Sequence, residues 1–353
     1  MAKNDGHFRN VLVTRFSALG DVAIALPVLY DVCRLHPGTR FVFVTRKAFT
    51  SIFVNAPSNL VVVGVDLNSY KGVAGLWKLA SQLRGDYAVD AMADLHSVMR
   101  TWVIGAHMRL HGVAVAAINK GRSEKKALVK GKIRRQLTPT ASRYAAVFAQ
   151  LGFGGEGAFT SIMGFGDAQN RLPSLFPFVK QPGQRWVAVA PFSQHEGKCY
   201  PLDKMEQVVA ELVKLPDVSV FLFGGGKSEA ALLRGIVGRH RHNVFSVADI
   251  KHNFAQELAF MAECDAMVSM DSANMHLASL VGLQVVSVWG ATHPYCGFMG
   301  WKQDVANSVQ RPDLNCRPCS VFGQKPCKYG DYRCMAGIEP QIIVDKVKKI
   351  LHL

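Results

Sequence analysis

Short apolar runs recur along this chain, and longer amphipathic stretches separate them. In the first half Val11 to Phe16, Phe41 to Thr45, Leu60 to Val65 and Tyr87 to Ala93 read as strands. Uninterrupted runs of this kind suit strands buried on both faces, as in a parallel sheet. The chain from Asp21 to about Leu35 and from Val73 to Arg84 has helical spacing. His36, Pro37 and Gly38 stop the first of these. Gly112 to Ile118 predicts another strand and Thr138 to Leu151 another helix. The second half repeats the alternation. Strands are expected at Trp186 to Ala190, Val218 to Phe223 and Asn243 to Val247. Helices are expected at Leu202 to Leu215, Lys227 to Val237 and Ala255 to Glu263. Strands alternating with helices imply βαβ units. The fold class is therefore α/β, with two Rossmann-like domains facing a cleft. The expected division is 1–175, 185–335, and a C-terminal helix within 336–353 that packs back on the N-terminal domain. The proline-bearing stretch 171–184 is the expected linker.

The clearest stretch runs from Ala266 to Pro294. Ala266 to Met270 reads as a buried strand, and Asp271 and Ser272 supply N-cap chemistry. Met275, Leu277, Ala278, Leu280 and Val281 give the following helix its apolar side. Gly282 is placed to end it in a left-handed conformation. A helix that starts where a parallel strand ends turns free N–H groups into the crevice above the sheet, a ready phosphate site. The alternative is an ordinary well-capped βαβ unit.

The chain has 353 residues, enough for two domains. Its polar start is not a secretory signal, and no run reaches the ~18 apolar residues a membrane span needs. A cytoplasmic location is expected. The formal net charge of +15 attracts polyanions: nucleic acid, anionic lipid surfaces or phosphorylated substrates. Much of it lies in Lys120 to Arg135, a segment with a single acid, Glu124. Lys125 and Lys126 are candidate contacts there for a phosphorylated partner. The segment lacks aromatic residues for base stacking, which counts against nucleic acid.

Asp21 lies directly behind the first strand and reads either as a helix-start acid favoured by the dipole or as a general base. Arg15, Ser17 and Gly20 share its turn, where Gly20 permits close backbone approach to a ligand. The turn lacks the GxGxxG fingerprint of a nicotinamide dehydrogenase. In the second half Lys198 suits a phosphate, Ser193 a phosphate or ribose, and Glu229 a ribose behind the turn Gly224 to Gly226. Asp271, Ser272 and His276 fall close together on the helix start. Cys316, Cys319, Cys327 and Cys334 follow the spacing C-x2-C-x7-C-x6-C. They read as packed thiols in an irregular loop or, alternatively, as a structural zinc site.

Taken in order, these motifs resemble the lipopolysaccharide heptosyltransferases, glycosyltransferase family 9. The resemblance rests on RFSALGDVAIALPVL at 15–29, DLHSVMRT at 94–101, GKCYP at 197–201, FGGGKSE at 223–229 and MDSANMHLASLVGLQVVSVWGATHP at 270–294. It implies the GT-B architecture and an inverting, metal-independent transfer without a cofactor. The donor would be an ADP-heptose and the acceptor the lipid A inner core, met at the inner face of the inner membrane. Asp21 matches the family's base. Ser193, Lys198, Gly225, Glu229, Asp271, Ser272, Ala273, His276 and Thr292 fall on the donor side. Arg15, Ser17, Gly20, His96, Arg100, Lys125 and Lys126 fall on the acceptor side. Ala273 stands where the family has glycine, and GATHP at 290–294 stands where the family usually has GPTDP, so sugar selectivity is open. The alternatives are an epimerase-like sugar-nucleotide enzyme of the same fold and a nucleic-acid-binding protein.

Overall fold

The computed structural model describes residues 8–155, 157–164, 176–240 and 242–353. In chain order it runs β1 (Asn10–Thr14), α1 (Leu19–Leu35), β2 (Arg40–Arg46), β3 (Leu60–Val65), α2 (Gly72–Tyr87), β4 (Ala91–Asp94), α3 (Met99–Leu110), β5 (Ala114–Ala117), α4 (Arg122–Val129) and α5 (Thr140–Gln150). It continues through β6 (Arg185–Ala190), α6 (Leu202–Leu212), β7 (Val218–Leu222), α7 (Gly226–Arg239), β8 (Val244–Ser246), α8 (Phe254–Glu263) and β9 (Ala266–Met270). It ends with α9 (Ala273–Leu280), β10 (Val285–Val288), β11 (Ser308–Val309), α10 (Arg333–Ala336) and α11 (Pro340–Leu351).

Two compact units result. Unit 1 takes in the described residues up to Lys120 and those from Thr140 to 164; unit 2 takes in Gly121–Pro139 and the described residues from 176 on. Unit 1 holds a parallel sheet in the order β3-β2-β1-β4-β5. One face carries Leu12, Val42, Val44 and Met92 against Leu79 and Leu83 of α2 and Ile104 and Met108 of α3. On the other, the Phe41 ring meets Phe148 of α5 at 6.3 Å between centroids. Unit 2 holds a parallel sheet in the order β11-β10-β9-β6-β7-β8. Val189, Val268 and Val286 pack there with α6 and α11. Phe221 on the opposite face meets Trp186 at 4.6 Å and Phe260 of α8 at 5.0 Å. Both orders reverse at one point, between β1 and β4 and between β6 and β9. Ligands of open α/β sheets bind outside the carboxyl ends of the strands at such points.

The structure departs from the expected division in two places. Gly121–Pro139 belongs to unit 2, not to the N-terminal unit. Its apolar residues decide this: Leu128 and Leu137 pack with Cys296, and the Leu137 N–H donates to the Tyr295 carbonyl at 2.9 Å. The C-terminal helix α11 does not return to the N-terminal unit. Ile343, Val344, Val347 and Leu351 are buried in the unit 2 core with Met205 of α6. Of the expected linker 171–184, residues 171–175 lie outside the described residues.

Candidate active site

In unit 1, β1 delivers Arg15 to the carboxyl edge of the sheet. Only 7% of Arg15 is exposed, so its charge needs partners. The guanidinium forms an ion pair with Asp21 and donates from Nη1 to the Leu95 carbonyl at 2.8 Å. Asp21 is the third residue of α1 rather than its opener, and also accepts the Ala18 N–H at 3.3 Å. A carboxylate in the first turn is favoured by the helix dipole. Tyr144 flanks the pair, its ring 5.9 Å from the Arg15 guanidinium carbon. Burial raises the Tyr144 pKa and keeps its proton in place. Ser17 and Gly20 are half-buried in the same turn.

β4 supplies the neighbouring turn. Oδ1 of the buried Asp94 accepts the N–H groups of His96 and Ser97 at 2.9 Å each and the Thr14 hydroxyl at 3.2 Å. Asp94 thereby shapes the loop that presents His96, a role not assigned from sequence although its position at a strand end was visible. Nδ1 of His96 accepts the Phe16 N–H at 3.4 Å, which leaves the proton of the neutral ring on Nε2. Burial, with the positive charge of Arg15 and Lys120 nearby, pushes the His96 pKa down to about 3. His96 therefore stays neutral and is a poor proton acceptor. Arg100, in the first turn of α3, lines a cavity of about 460 Å³ with Arg46, Lys47, Asp66 and Asn68. Arg46 ends β2 and Lys47 follows it; neither stood out in the sequence, because surface basic residues carry no local pattern.

In unit 2, the loop after β6 carries Ser193 and Lys198, and β9 runs into Asp271. Lys198 Nζ lies 3.0 Å from Asp271 Oδ2, and the same oxygen accepts the Thr292 hydroxyl at 2.8 Å. Ser193 Oγ donates to the Asp271 carbonyl at 3.4 Å. Ser272 occupies the N-cap of α9 but makes no side-chain cap; its Oγ lies 3.3 Å from Ser269 Oγ instead. The amino end of α9, starting at Ala273, thus lacks a side-chain acceptor, the arrangement that suits an anion. His276 is buried one turn further on. The structure therefore brings Ser193, Lys198, Asp271, Ser272, Ala273 and Thr292 together. Thr292 differs from expectation: it is 1% exposed, so it braces Asp271 from behind rather than facing a ligand. Behind β7 the Gly225 N–H donates to Glu229 Oε2 at 2.7 Å. The Glu229 carboxylate also acts on the thiol of Cys199, the neighbour of Lys198.

Arg317 was not singled out from sequence, yet it holds this edge together. It is 4% exposed. Nε donates to the Gly290 carbonyl at 2.8 Å, and Nη2 to those of Trp289 at 3.1 Å and Thr292 at 2.8 Å. Nη1 reaches Gln310 Oε1 at 2.9 Å and the Arg311 carbonyl at 3.2 Å. The Ala291 N–H donates to the Gly197 carbonyl at 2.7 Å, and the Cys319 N–H to the Ala291 carbonyl at 2.8 Å. Gly323 (φ +80°) closes the packing, since a Cβ there would sit 2.6 Å from Cγ of Lys198. The cysteine-rich loop thus backs the Lys198 side chain. Cys316, Cys319, Cys327 and Cys334 are free thiols, and Cys319 Sγ donates to the Cys316 carbonyl at 3.3 Å. Among the described residues no group of three or more His, Cys, Asp or Glu is arranged to hold a metal ion.

Lys125 and Lys126, expected as acceptor contacts of the N-terminal domain, lie on α4, which belongs to unit 2. Lys125 is 7% exposed, with Nζ 4.2 Å from the Phe298 ring centroid, while Lys126 is exposed.

Comparison with known proteins bears on the fold and the family. Lipooligosaccharide heptosyltransferase 2 of Campylobacter jejuni is 21% identical over 94% of this chain and 95% of its own length. A family 9 glycosyltransferase structure from Veillonella parvula superposes with a TM-score of 0.74 at 15% identity, covering 98% of this chain and 97% of that one. The E. coli heptosyltransferase WaaC with ADP gives a TM-score of 0.68 at 16% identity, covering 97% and 99%. Residues 77–329 match the family model for glycosyltransferase family 9 (heptosyltransferase), and the chain belongs to that family of glycosyltransferases.

Proposed function

We propose that the protein transfers a heptose from ADP-heptose to the inner-core saccharide of a lipopolysaccharide precursor, with inversion and without a metal ion or other cofactor. The observation that carries this reading is the joining of Lys198, Asp271 and Thr292 beside the side-chain-free amino end of α9. A diphosphate at that edge would meet one ammonium group and the first-turn N–H groups, which supply positive charge where negative charge develops. Lys198 is already paired with Asp271, so the donor must compete with a carboxylate for it. The choice of ADP is supported by the nucleotide with which WaaC is described. The lipopolysaccharide acceptor is supported by the names of the relatives.

In the reaction so read, the acceptor hydroxyl loses its proton to Asp21 as its oxygen attacks the anomeric carbon opposite the nucleotide. The bond from that carbon to the diphosphate oxygen breaks, and ADP leaves with the charge facing Lys198. Arg15 orients the Asp21 carboxylate. An acylated acceptor places the enzyme at a membrane surface on the cytoplasmic side. No helix among the described residues is long and apolar enough to cross a membrane, so contact would be peripheral.

Purified protein incubated with ADP-heptose and a deacylated inner-core acceptor tests the reading. It requires one ADP released per heptose transferred, with no loss of rate in a chelator. ADP released without transfer, or transfer only from another nucleotide sugar, would overturn it.

A further inference from the structure

Helix α3 is unusual for a surface helix, because its outward face is apolar. Met99, Trp102, Ala106 and Leu110 recur at helical spacing, and Met99, Trp102 and Leu110 are 71%, 51% and 73% exposed. α2 lies beside it, with the Trp77 ring 4.9 Å from that of His107. It adds Val73, which is 65% exposed, and Trp77, which is 38% exposed. Contiguous apolar surface of this kind marks an interaction site rather than an ordinary solvated face. The charges around it are mostly positive, with exposed acids at Asp66, beside Arg100 in one cavity wall, and at Asp86 near the end of α2. α3 contains Arg100 and Arg109 and no acidic residue, and Lys71 and Lys78 are exposed on the adjoining stretch of α2. A groove of about 310 Å³ opens between the amino ends of the two helices, with Lys71, Val73, Met99 and Arg100 in its wall.

We propose that the α2–α3 face of unit 1 is the surface by which this protein lies on an anionic lipid bilayer. Trp and Met enter the interfacial layer of a bilayer, while Lys and Arg stay with the phosphate headgroups. Charge complementarity selects the occupant: Arg100, Arg109, Lys71 and Lys78 outnumber the nearby acids Asp66 and Asp86, on a chain of formal net charge +15. The proposal deepens the reading above by naming the face that meets the membrane. It also moves that contact away from the basic segment 121–139, whose Lys125 packs on Phe298 within unit 2.

The test is co-sedimentation of the full chain with vesicles of phosphatidylethanolamine and phosphatidylglycerol, without donor or acceptor, so failure of heptose transfer leaves the result untouched. Wild type should bind, and should bind less to phosphatidylcholine vesicles. The triple variant Met99→Ser, Trp102→Ser, Leu110→Ser should lose at least about tenfold in partitioning. A Lys126→Gln, Lys130→Gln, Lys132→Gln variant should stay within about threefold of wild type. Should the triple variant not fold, Leu110→Ser alone is expected to lower partitioning about threefold. Absent binding by wild type, equal binding by the stripe variant, or loss confined to the lysine variant overturns the proposal. So does a dimer in analytical ultracentrifugation that the stripe variant dissociates, because a second copy then covers the face.

Discussion

Asp21 and Asp271 each face a cation, and this sets what single substitutions should do. Asp21→Asn keeps the shape of the side chain and its place at the first turn of α1, but removes its capacity to hold a proton. Turnover is expected to fall ~10²–10⁴-fold. ADP binding measured by calorimetry should be unchanged, because the donor-side residues belong to unit 2. Arg15 is left buried without its counter-charge, so the thermal midpoint should drop as well. Turnover within about threefold of wild type would remove Asp21 from the role. At the other site Lys198→Ala takes away the ammonium group and leaves Asp271 held by Thr292 alone. Charge-assisted contacts contribute roughly 1.5–3 kcal/mol, so kcat/KM for the ADP-sugar should fall at least tenfold while KM for the acceptor holds. An unchanged kcat/KM would mean that Lys198 serves only to neutralise Asp271.

Among the elements, the loop after β10 depends on a residue far from it in sequence. Arg317 donates to five acceptors at once, among them the carbonyls of Trp289, Gly290 and Thr292, which a lysine with three donors on one nitrogen cannot match. Arg317→Lys is therefore expected to lower the thermal midpoint by several degrees. It should also raise KM for the donor more than it lowers kcat, because Thr292 and hence Asp271 lose their support. Equal donor KM in a folded variant would make Arg317 a purely structural residue. No sequence pattern could have shown this, since three of its partners lie more than twenty positions away. The donor turn was legible because it is local. β9 and α9 fell where the apolar runs placed them, and Gly282 does end α9 with φ +77°. Helix α3 was not legible. Amphipathic contrast identifies a helix only when one face is polar, and α3 is apolar on both its core side and its outer side. The two-residue strand β11 was too short to show a period, and α4 was hidden within a run of lysines and arginines.

At the scale of the whole molecule, each unit carries a histidine held neutral beside arginine, buried in unit 1 and half-buried in unit 2. His96 in unit 1 has its pKa pushed down to about 3 by burial and then by Arg15 and Lys120. His293 in unit 2 is pushed down to about 4 by burial and then by Arg317 and Arg134. In an unfolded chain both would titrate near ~6.5. Between those values the unfolded state binds more protons than the folded one, so stability rises with pH across that window. Above ~6.5 neither group contributes a slope. His252 works in the opposite sense. Its hydrogen bond to Glu257 raises its pKa, so its contribution is full below ~6.5 and is lost as pH rises through the folded value. The thermal midpoint should therefore climb from about pH 4 to about 6.5 and then level or decline slightly. His96→Asn is a fair probe, because the amide oxygen can accept the Phe16 N–H in place of Nδ1 without acquiring a charge. His293→Asn can likewise accept the Tyr295 N–H that Nδ1 now accepts. The double variant should flatten the acid limb, each single variant should flatten part of it, and His252→Gln should remove the decline on the alkaline side. Differential scanning calorimetry across that pH range decides the matter. A flat wild-type profile, or an acid limb of undiminished slope in the double variant, would show that protons bind elsewhere when this protein unfolds in acid.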